Sequence, residues 1–488
     1  MPRLCHGILS LFVLFLLAAL VRKAWMDLDV AWDSLGYHLP FAGLRAGIIS
    51  PQEYRLSRFM TERYNGFPIL ADLIQGMLWR VTSRIQAPNL IGLLGLLPLV
   101  VIVKKLFRVP LTYSLIALWS IPVVLIQSTS SYLDLFSSSW FAAMLMLIWS
   151  ALAAPNKFSI ARLLGLFACF AVVLNSKMQL EPQALAALGI VAVLLWIGRS
   201  RYPQLRSFLD HSSTRRKAGA AILLVLLFAI AIANPVKNSI KYHNPIYPLP
   251  IVGAKIIVPG ELAAKPDYLA HSSQILRWLL STLEYRSFDG RRPLWTNGQG
   301  DLPTNSPAIF MGGDFGAAVL FNILWLGFLQ SKAKDRLGWT PCWFMGVLTL
   351  ITVFLPGSPQ SRYTIYWILC LVLLNLALVV NSFSGEHGKD ARILYVGGMA
   401  CFLLFVLCAT GFVYIHRTGM TAERIARDAE KRLAAANLQK GETVCMTNTN
   451  PFTLFFAPMF QPELRAKLHY KIQERYDPAD CEGLRPLP

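Results

Sequence analysis

The chain has 488 residues, of which 55% are hydrophobic and only 15% charged. Soluble domains average about 25% charged residues, so this composition excludes an ordinary soluble enzyme. Eight scattered cysteines, without C-x-x-C or H-E-x-x-H spacing, exclude a disulfide scaffold and a zinc ribbon. The 46 Lys and Arg against 27 Asp and Glu give a formal charge of +19; on so apolar a chain, that excess points to membrane lipids and phosphate groups as partners rather than nucleic acid.

A bilayer core of roughly 30 Å takes about 17 to 25 apolar residues per helical crossing. Eleven segments are read as crossings, with cores at Ile8–Val21, Leu90–Val103, Leu111–Ile126, Leu135–Leu152, Ile160–Leu174, Leu185–Ile197, Ala218–Ala233, Ala308–Leu329, Trp339–Leu355, Thr364–Val380 and Ile393–Ile415. Arg3 precedes the first as it would in a signal peptide, but Leu20, Val21, Arg22 and Lys23 stand where small cleavage-site residues belong, so a retained helix is expected.

Lys and Arg in short loops favour the cytoplasm. With the N-terminus inside, the inner loops hold Lys104, Lys105 and Arg108; Lys157 and Arg162; Arg199, Arg201, Arg206, Arg215, Arg216 and Lys217; Lys332, Lys334 and Arg336; and Lys389 and Arg392. The short outer loops hold only Lys177 and Arg362. An odd number of crossings leaves the C-terminus outside. The expected fold is therefore an all-α polytopic membrane protein. Residues 1–415 form its transmembrane domain, with long outer loops at 24–88 and 234–307, and residues 416–488 form a small outer tail opening with a helix at Thr421–Ala435. Within the first outer loop, Phe67–Arg84 carries apolar residues at helical spacing and reads as an amphipathic helix on the outer surface. The alternative, a twelfth short crossing, puts the downstream loop charges on the wrong side.

Charged groups at membrane depth cost several kcal/mol unless pairing or function retains them, which singles out a few polar residues at the outer ends of the crossings. Just beyond the first crossing lie Asp27, Asp29 and Asp33, then Tyr37, His38 and Pro40. These acids can cap an interfacial helix and offset Arg22 and Lys23; Asp33 and Tyr37, four apart, share a helical face and can point together at a substrate. Asp134, after Tyr132-Leu133, opens the fourth crossing, where an acid is often only a cap. Lys177 and Arg362, the latter beside Tyr363, run against the inside preference of basic residues and are read as anion ligands. A carboxylate with a Lys and an Arg suits chemistry on a lipid-held phosphate: the carboxylate accepts a hydroxyl proton while the cations stabilise the departing phosphate. A phosphate leaves as an anion and needs no second carboxylic acid, unlike an ordinary glycoside.

The order of these features resembles the GT-C superfamily of integral membrane glycosyltransferases, which includes lipid A aminoarabinose transferases and protein O-mannosyltransferases. The matching pieces are Asp33-x-x-x-Tyr37-His38-Leu39-Pro40, Tyr64-Asn65-Gly66-Phe67-Pro68, Tyr132-Leu133-Asp134, Asn175-Ser176-Lys177, Asn244-Pro245-Ile246-Tyr247-Pro248 and Ser361-Arg362-Tyr363, across roughly residues 1–380. The resemblance implies a polyprenyl-phosphate sugar donor, an acceptor glycan, lipid or protein, and transfer with inversion on the periplasmic face of a bacterial inner membrane. By position it makes Asp33 the general base and Asp134 a group that orients the acceptor or the site loop. Lys177 and Arg362 bind donor phosphate, and Arg58 or Arg63 closes over it. Asp33 is followed by Ser34 rather than the second acid common in mannosyltransferases, and the tail is shorter than in many members. No cofactor is required; a diphosphate donor would bring in a divalent metal with Asp33 and Asp134.

Lys237, Lys241, His243, Tyr247, Trp295 and the run Phe288–Arg292 in the second outer loop are further candidates for sugar or lipid-phosphate binding, or simply a surface beside anionic lipid. His38 is placed to assist proton transfer or bind phosphate. Cys445 and Cys481 lie in the outer tail, where an oxidising compartment permits a disulfide. Two rival functions are a secondary transporter or flippase, against which stands the absence of an inverted repeat, and a lipid-linked polysaccharide polymerase or ligase.

Overall fold

The computed structural model describes residues 2–197, 201–249, 251–252, 255–256, 272–283, 315–355, 358, 361–381, 385–409, 412, 414–417, 419–447, 452–475, 481 and 484–487. The chain is an all-α membrane protein with a small sheet at one end. Helix α1 (Pro2–Met26) is followed by a π-helical turn (Ser34–His38), α2 (Leu39–Arg45), strand β1 (Tyr54–Arg55), α3 (Arg58–Gly66) and α4 (Leu70–Thr82). The bundle continues with α5 (Ile91–Phe107), α6 (Leu111–Trp119), α7 (Pro122–Gln127), α8 (Asp134–Ala153), α9 (Ile160–Leu174), α10 (Glu181–Ile197), α11 (Pro203–His211) and α12 (Thr214–Tyr242). After a hairpin of β2 (Ile251–Val252) and β3 (Lys255–Ile256) come α13 (Gln274–Leu283), α14 (Phe315–Leu337), α15 (Thr340–Val353), α16 (Ile365–Asn381) and α17 (Gly385–Ala409).

Eight of the described helices are long and apolar enough to cross a bilayer, and α9 and α15 are shorter apolar helices. The third expected crossing, Leu111–Ile126, is broken: α6 stops at Trp119 and α7 restarts at Pro122, because the residue before a proline avoids the helical region and Ile121 is extended. Helix α4, 13 residues long, measures about 20 Å at 1.5 Å per residue, too short to cross. Helix α12 runs beyond the expected end at Ala233, so Lys237 and Lys241 ride on it rather than in a loop. The run Phe288–Arg292 and Trp295 lie outside the described residues.

Helices α8 and α16 are each 89% buried over their apolar stretch, whereas α1 and α12 are only 28% and 11% buried. The first two are thus the bundle's axis, and the outer pair turn residues such as Leu11, Phe15, Val225 and Ile230 outward. Inside the bundle Asn375 Nδ2 donates to Asn322 O at 2.9 Å, and the Tyr395 hydroxyl donates to Asn322 Oδ1 at 2.5 Å, joining α16, α14 and α17 through buried polar groups. The axis matters for function: Asp134 is the first residue of α8, and Arg362 stands three residues before α16.

The tail contributes α18 (Ala422–Ala435), β4 (Thr443–Thr447), α19 (Pro462–Leu468), β5 (Lys471–Arg475) and β6 (Arg485–Leu487). Its parallel sheet has the order β1-β5-β4-β6, with Tyr54 of the segment between α2 and α3 in register with Ile472. Leu28, Leu35, Tyr54 and Trp79 share one apolar core with Ile425, Val444, Phe455 and Ile472. Cys445 of β4 and Cys481 form a disulfide with Cα atoms 5.9 Å apart. The tail is therefore built onto the segment after α1, the one that carries Asp33.

Candidate active site

The loop after α1 is ordered by Asp29. Its Oδ2 accepts from Ser34 Oγ at 2.5 Å, Ser130 Oγ at 2.6 Å and the Ser131 amide at 3.0 Å, and its Oδ1 accepts from the Ala31 amide at 3.0 Å. A carboxylate so fully engaged is a clamp, which fixes the start of the π-helical turn against the segment leading to Asp134. The turn closes with the Leu39 amide donating to Ser34 O, five residues back. That wider turn places Asp33, Tyr37 and His38 on one side, where α-helical spacing would have sent His38 away. All three line a cleft at the end of the bundle.

Two cations close this cleft on two acids. Arg362 Nη1 lies 2.6 Å from Asp33 Oδ2 and its Nη2 donates to the Tyr363 hydroxyl at 2.8 Å. Lys177 is ion-paired with Asp134 and stands 4.6 Å above the Tyr363 ring. Burial alone would raise the Asp33 carboxyl, but the Arg362 guanidinium, His38 and Arg63 outweigh it and hold Asp33 below the usual carboxylate range. Burial lowers Lys177 against the opposing pull of Asp134. Burial, reinforced by Asp33, pushes the Tyr37 hydroxyl well up, so it is a neutral donor at any physiological pH. The solvent-sized space left is about 50 Å³, enough for a few waters at roughly 10–15 Å³ each. A ligand larger than a few waters enters only if these pairs part.

A third polar group adjoins them. His38 Nδ1 is 3.7 Å from Asp72 Oδ1, and Asp72 Oδ2 is 3.4 Å from Arg45 Nε. Arg45 is anchored in turn, its Nη2 donating to Tyr64 O at 2.8 Å. Asp72 is 2% exposed and lines the cleft. Sequence reasoning missed it, because an acid in the first turn of an amphipathic helix reads as a dipole cap; the available signal was an acid on the same face as the apolar residues that α4 buries.

Four residues expected in the site do not line the cleft. Arg58 is 85% exposed and bridges to Glu62, and Arg63 lies 3.8 Å over the Phe59 ring, reaching Asp33 only through its field. His243 caps α12 in the left-handed region, exposed. Tyr247 stacks on Tyr242 at 3.8 Å and builds the wall instead. Asn238 Nδ2 donates to both Gly66 O and Tyr247 O, at 2.9 and 3.2 Å, and a Cβ on Gly66 would meet Tyr247 O at 2.5 Å. The Tyr64–Pro68 and Asn244–Pro248 segments are thereby locked together, which sets Phe67 and Pro68 along the cleft.

No protein-family model and no curated protein matches the chain. Its fold is shared with solved structures of a protein from another organism. The crystal structure of ArnT from Cupriavidus metallidurans in the apo state aligns with a TM-score of 0.54 at 12% identity, covering 99% of this chain and 89% of that one. The structure of the same protein bound to undecaprenyl phosphate aligns at 0.51, again at 12% identity, over 96% and 90% of the two chains. At this identity the likeness establishes the fold.

Proposed function

We propose that the chain is an inverting glycosyltransferase that moves a monosaccharide from a polyprenyl-phosphate donor to an acceptor hydroxyl at the extracytoplasmic face of a bacterial inner membrane. The observation that carries this reading is the pairing of Lys177 with Asp134 and of Arg362 with Asp33 in one buried cleft. A donor phosphate competes for both cations, and its arrival releases the Asp33 carboxylate at the moment a base is needed. The acceptor oxygen then attacks the anomeric carbon, the bond from that carbon to the phosphate oxygen breaks, and Asp33 takes the acceptor's proton. Lys177 and Arg362 stabilise the leaving phosphate without requiring a metal.

An apolar cavity of about 300 Å³ between α8, α10 and α15 supports a lipid donor; Gln183 and Tyr366 line it one turn from Gln179 and Tyr363 of the cleft. The likeness to a structure bound to undecaprenyl phosphate favours the same class of lipid. The Cys445–Cys481 disulfide fits a tail outside the cytoplasm. Mass spectrometry of lipid co-purified with the full chain tests the reading. Wild type is expected to retain a polyprenyl phosphate, and Lys177→Ala and Arg362→Ala to bind it about tenfold to a hundredfold more weakly, the worth of one charge-assisted contact. Undiminished binding in both variants removes the phosphate site.

A further inference from the structure

We infer that His38, oriented by Asp72, is a second proton station in the cleft, to which Asp33 passes the proton it takes from the acceptor. This rests on the glycosyltransferase reading and extends it to a group that no carboxylate mechanism requires. The geometry is specific. His38 Nδ1 and Asp72 Oδ1 are both buried, without a hydrogen-bond partner, and 3.7 Å apart. Catalytic hydrogen bonds are often long in the ligand-free state and tighten when the complex forms, and here a closure of about 1 Å satisfies two stranded atoms together. Asp72 cannot drift, since Arg45 holds its other oxygen from 3.4 Å and is itself fixed to the Tyr64 carbonyl.

An Nδ1–H turned to Asp72 leaves Nε2 as the proton acceptor in the cleft that His38 lines. A carboxyl held below its usual range gives up a captured proton readily, and His38 lines the same cleft to receive it. The sequence of transfers balances. The acceptor's O–H proton goes to the Asp33 carboxylate as the new glycosidic bond forms. The Asp33 carboxylic acid then protonates His38 Nε2, making an imidazolium held by Asp72, and the imidazolium loses its proton to water after the products leave. The π-helical turn is the device that makes this possible, since Asp33 before it and His38 at its end line the same cleft. The charged or titratable groups around the ring are Asp33 and Tyr37 from its own turn, Asp72 and Arg45 from α4 and α2, Tyr132 from the segment before α8, and Asp134, Lys177, Arg362 and Tyr363 across the cleft.

The test is the pH profile of sugar transfer by the full chain in vesicles, with the lipid extract that co-purifies with wild type as donor. His38→Gln is expected to slow transfer about tenfold to a hundredfold and to abolish the acid limb of the profile. Asp72→Asn is expected to keep that limb but move it to lower pH, because the ring loses the carboxylate that faces its Nδ1. A residue with only a structural role would lower the rate without moving the limb. Should His38→Gln misfold, the pH dependence of diethyl pyrocarbonate modification of His38, read by mass spectrometry in wild type and Asp72→Asn, reports the same shift without a substrate. A wild-type rate and limb in His38→Gln, or a midpoint unmoved in Asp72→Asn by either readout, overturns the relay. Loss of transfer in Asp33→Asn alone leaves the glycosyltransferase reading standing, so the two failures are distinguishable.

Discussion

Three acids in seven residues, Asp27, Asp29 and Asp33, meet three different fates, and their partners decide which. Asp27 pairs with Lys23 at 3.3 Å and with Arg417 at 3.6 Å, tying α1 to the start of the tail. Asp29 is consumed by hydroxyl and amide donors. Of the three, Asp33 alone pairs with a cation that lines the cleft, Arg362. Asp33→Asn is therefore expected to slow transfer by roughly 100-fold to 10,000-fold while co-purified lipid is retained, as measured on the same preparation. Near wild-type transfer by Asp33→Asn would reduce Asp33 to a helix-end acid. The pair also has a pH signature. Because Arg362 and its neighbours lower Asp33, its contribution to stability is present above the ordinary carboxylate range and is lost only as pH falls below it.

At the level of elements, the apolar helices were legible because burying or lipid-facing residues fill them for whole turns. What escaped was set by contacts remote in sequence. Strand β1 is two residues long and exists because β5, more than 400 positions later, pairs with it. Asp72 acquires a meaning only when α2 and the π-helical turn deliver Arg45 and His38 to it, and a break in α-helical spacing is what delivers His38. Asp33, Asp134, Lys177 and Arg362 were readable as candidates because each violates an expectation about where charge belongs, but nothing local says that they pair two by two.

The β1–β5 junction carries a prediction of its own. The Tyr54 hydroxyl donates to Glu474, which is 1% exposed, and burial pushes that carboxyl up to about 7. A raised acid binds its proton more tightly when folded. Its stabilisation is thus complete below the unfolded value of 4.5 and fades as pH rises through about 7. Glu474→Gln keeps an acceptor for Tyr54 and cannot ionise. Limited proteolysis at pH 5 and pH 8 is expected to show the wild-type tail loosening at the higher pH and the variant equally resistant at both; a wild-type tail indifferent to pH would rule out an ionising junction.

Across the whole molecule, charge and chemistry sit at opposite ends of the bundle. Asn381 Nδ2 donates to Phe107 O at 2.9 Å, and Arg392 Nη2 donates to Val380 O at 2.9 Å, so the ends of α5 and α16 that neighbour Lys104, Lys105 and Arg108 lie together. At the other end the Leu28 amide donates to Met420 O at 3.0 Å, and Lys23 Nζ donates to His416 O at 2.7 Å, gathering the segment after α1, the tail and the cleft. The basic loop ends are the part a cytoplasmic preference would hold back, so the proposed function requires the cleft to face the opposite side, where nucleotide sugars are not supplied. An impermeant maleimide applied to intact cells checks this, in a background stripped of the free cysteines. Arg58→Cys, on an exposed position of α3 beside the cleft end, is expected to react from outside. Arg216→Cys, at the start of α12 within the most basic loop, is expected to react only after the membrane is opened. Labelling of Arg216→Cys in intact cells would turn the molecule over, place the cleft in the cytoplasm, and remove the reason for a polyprenyl-linked donor.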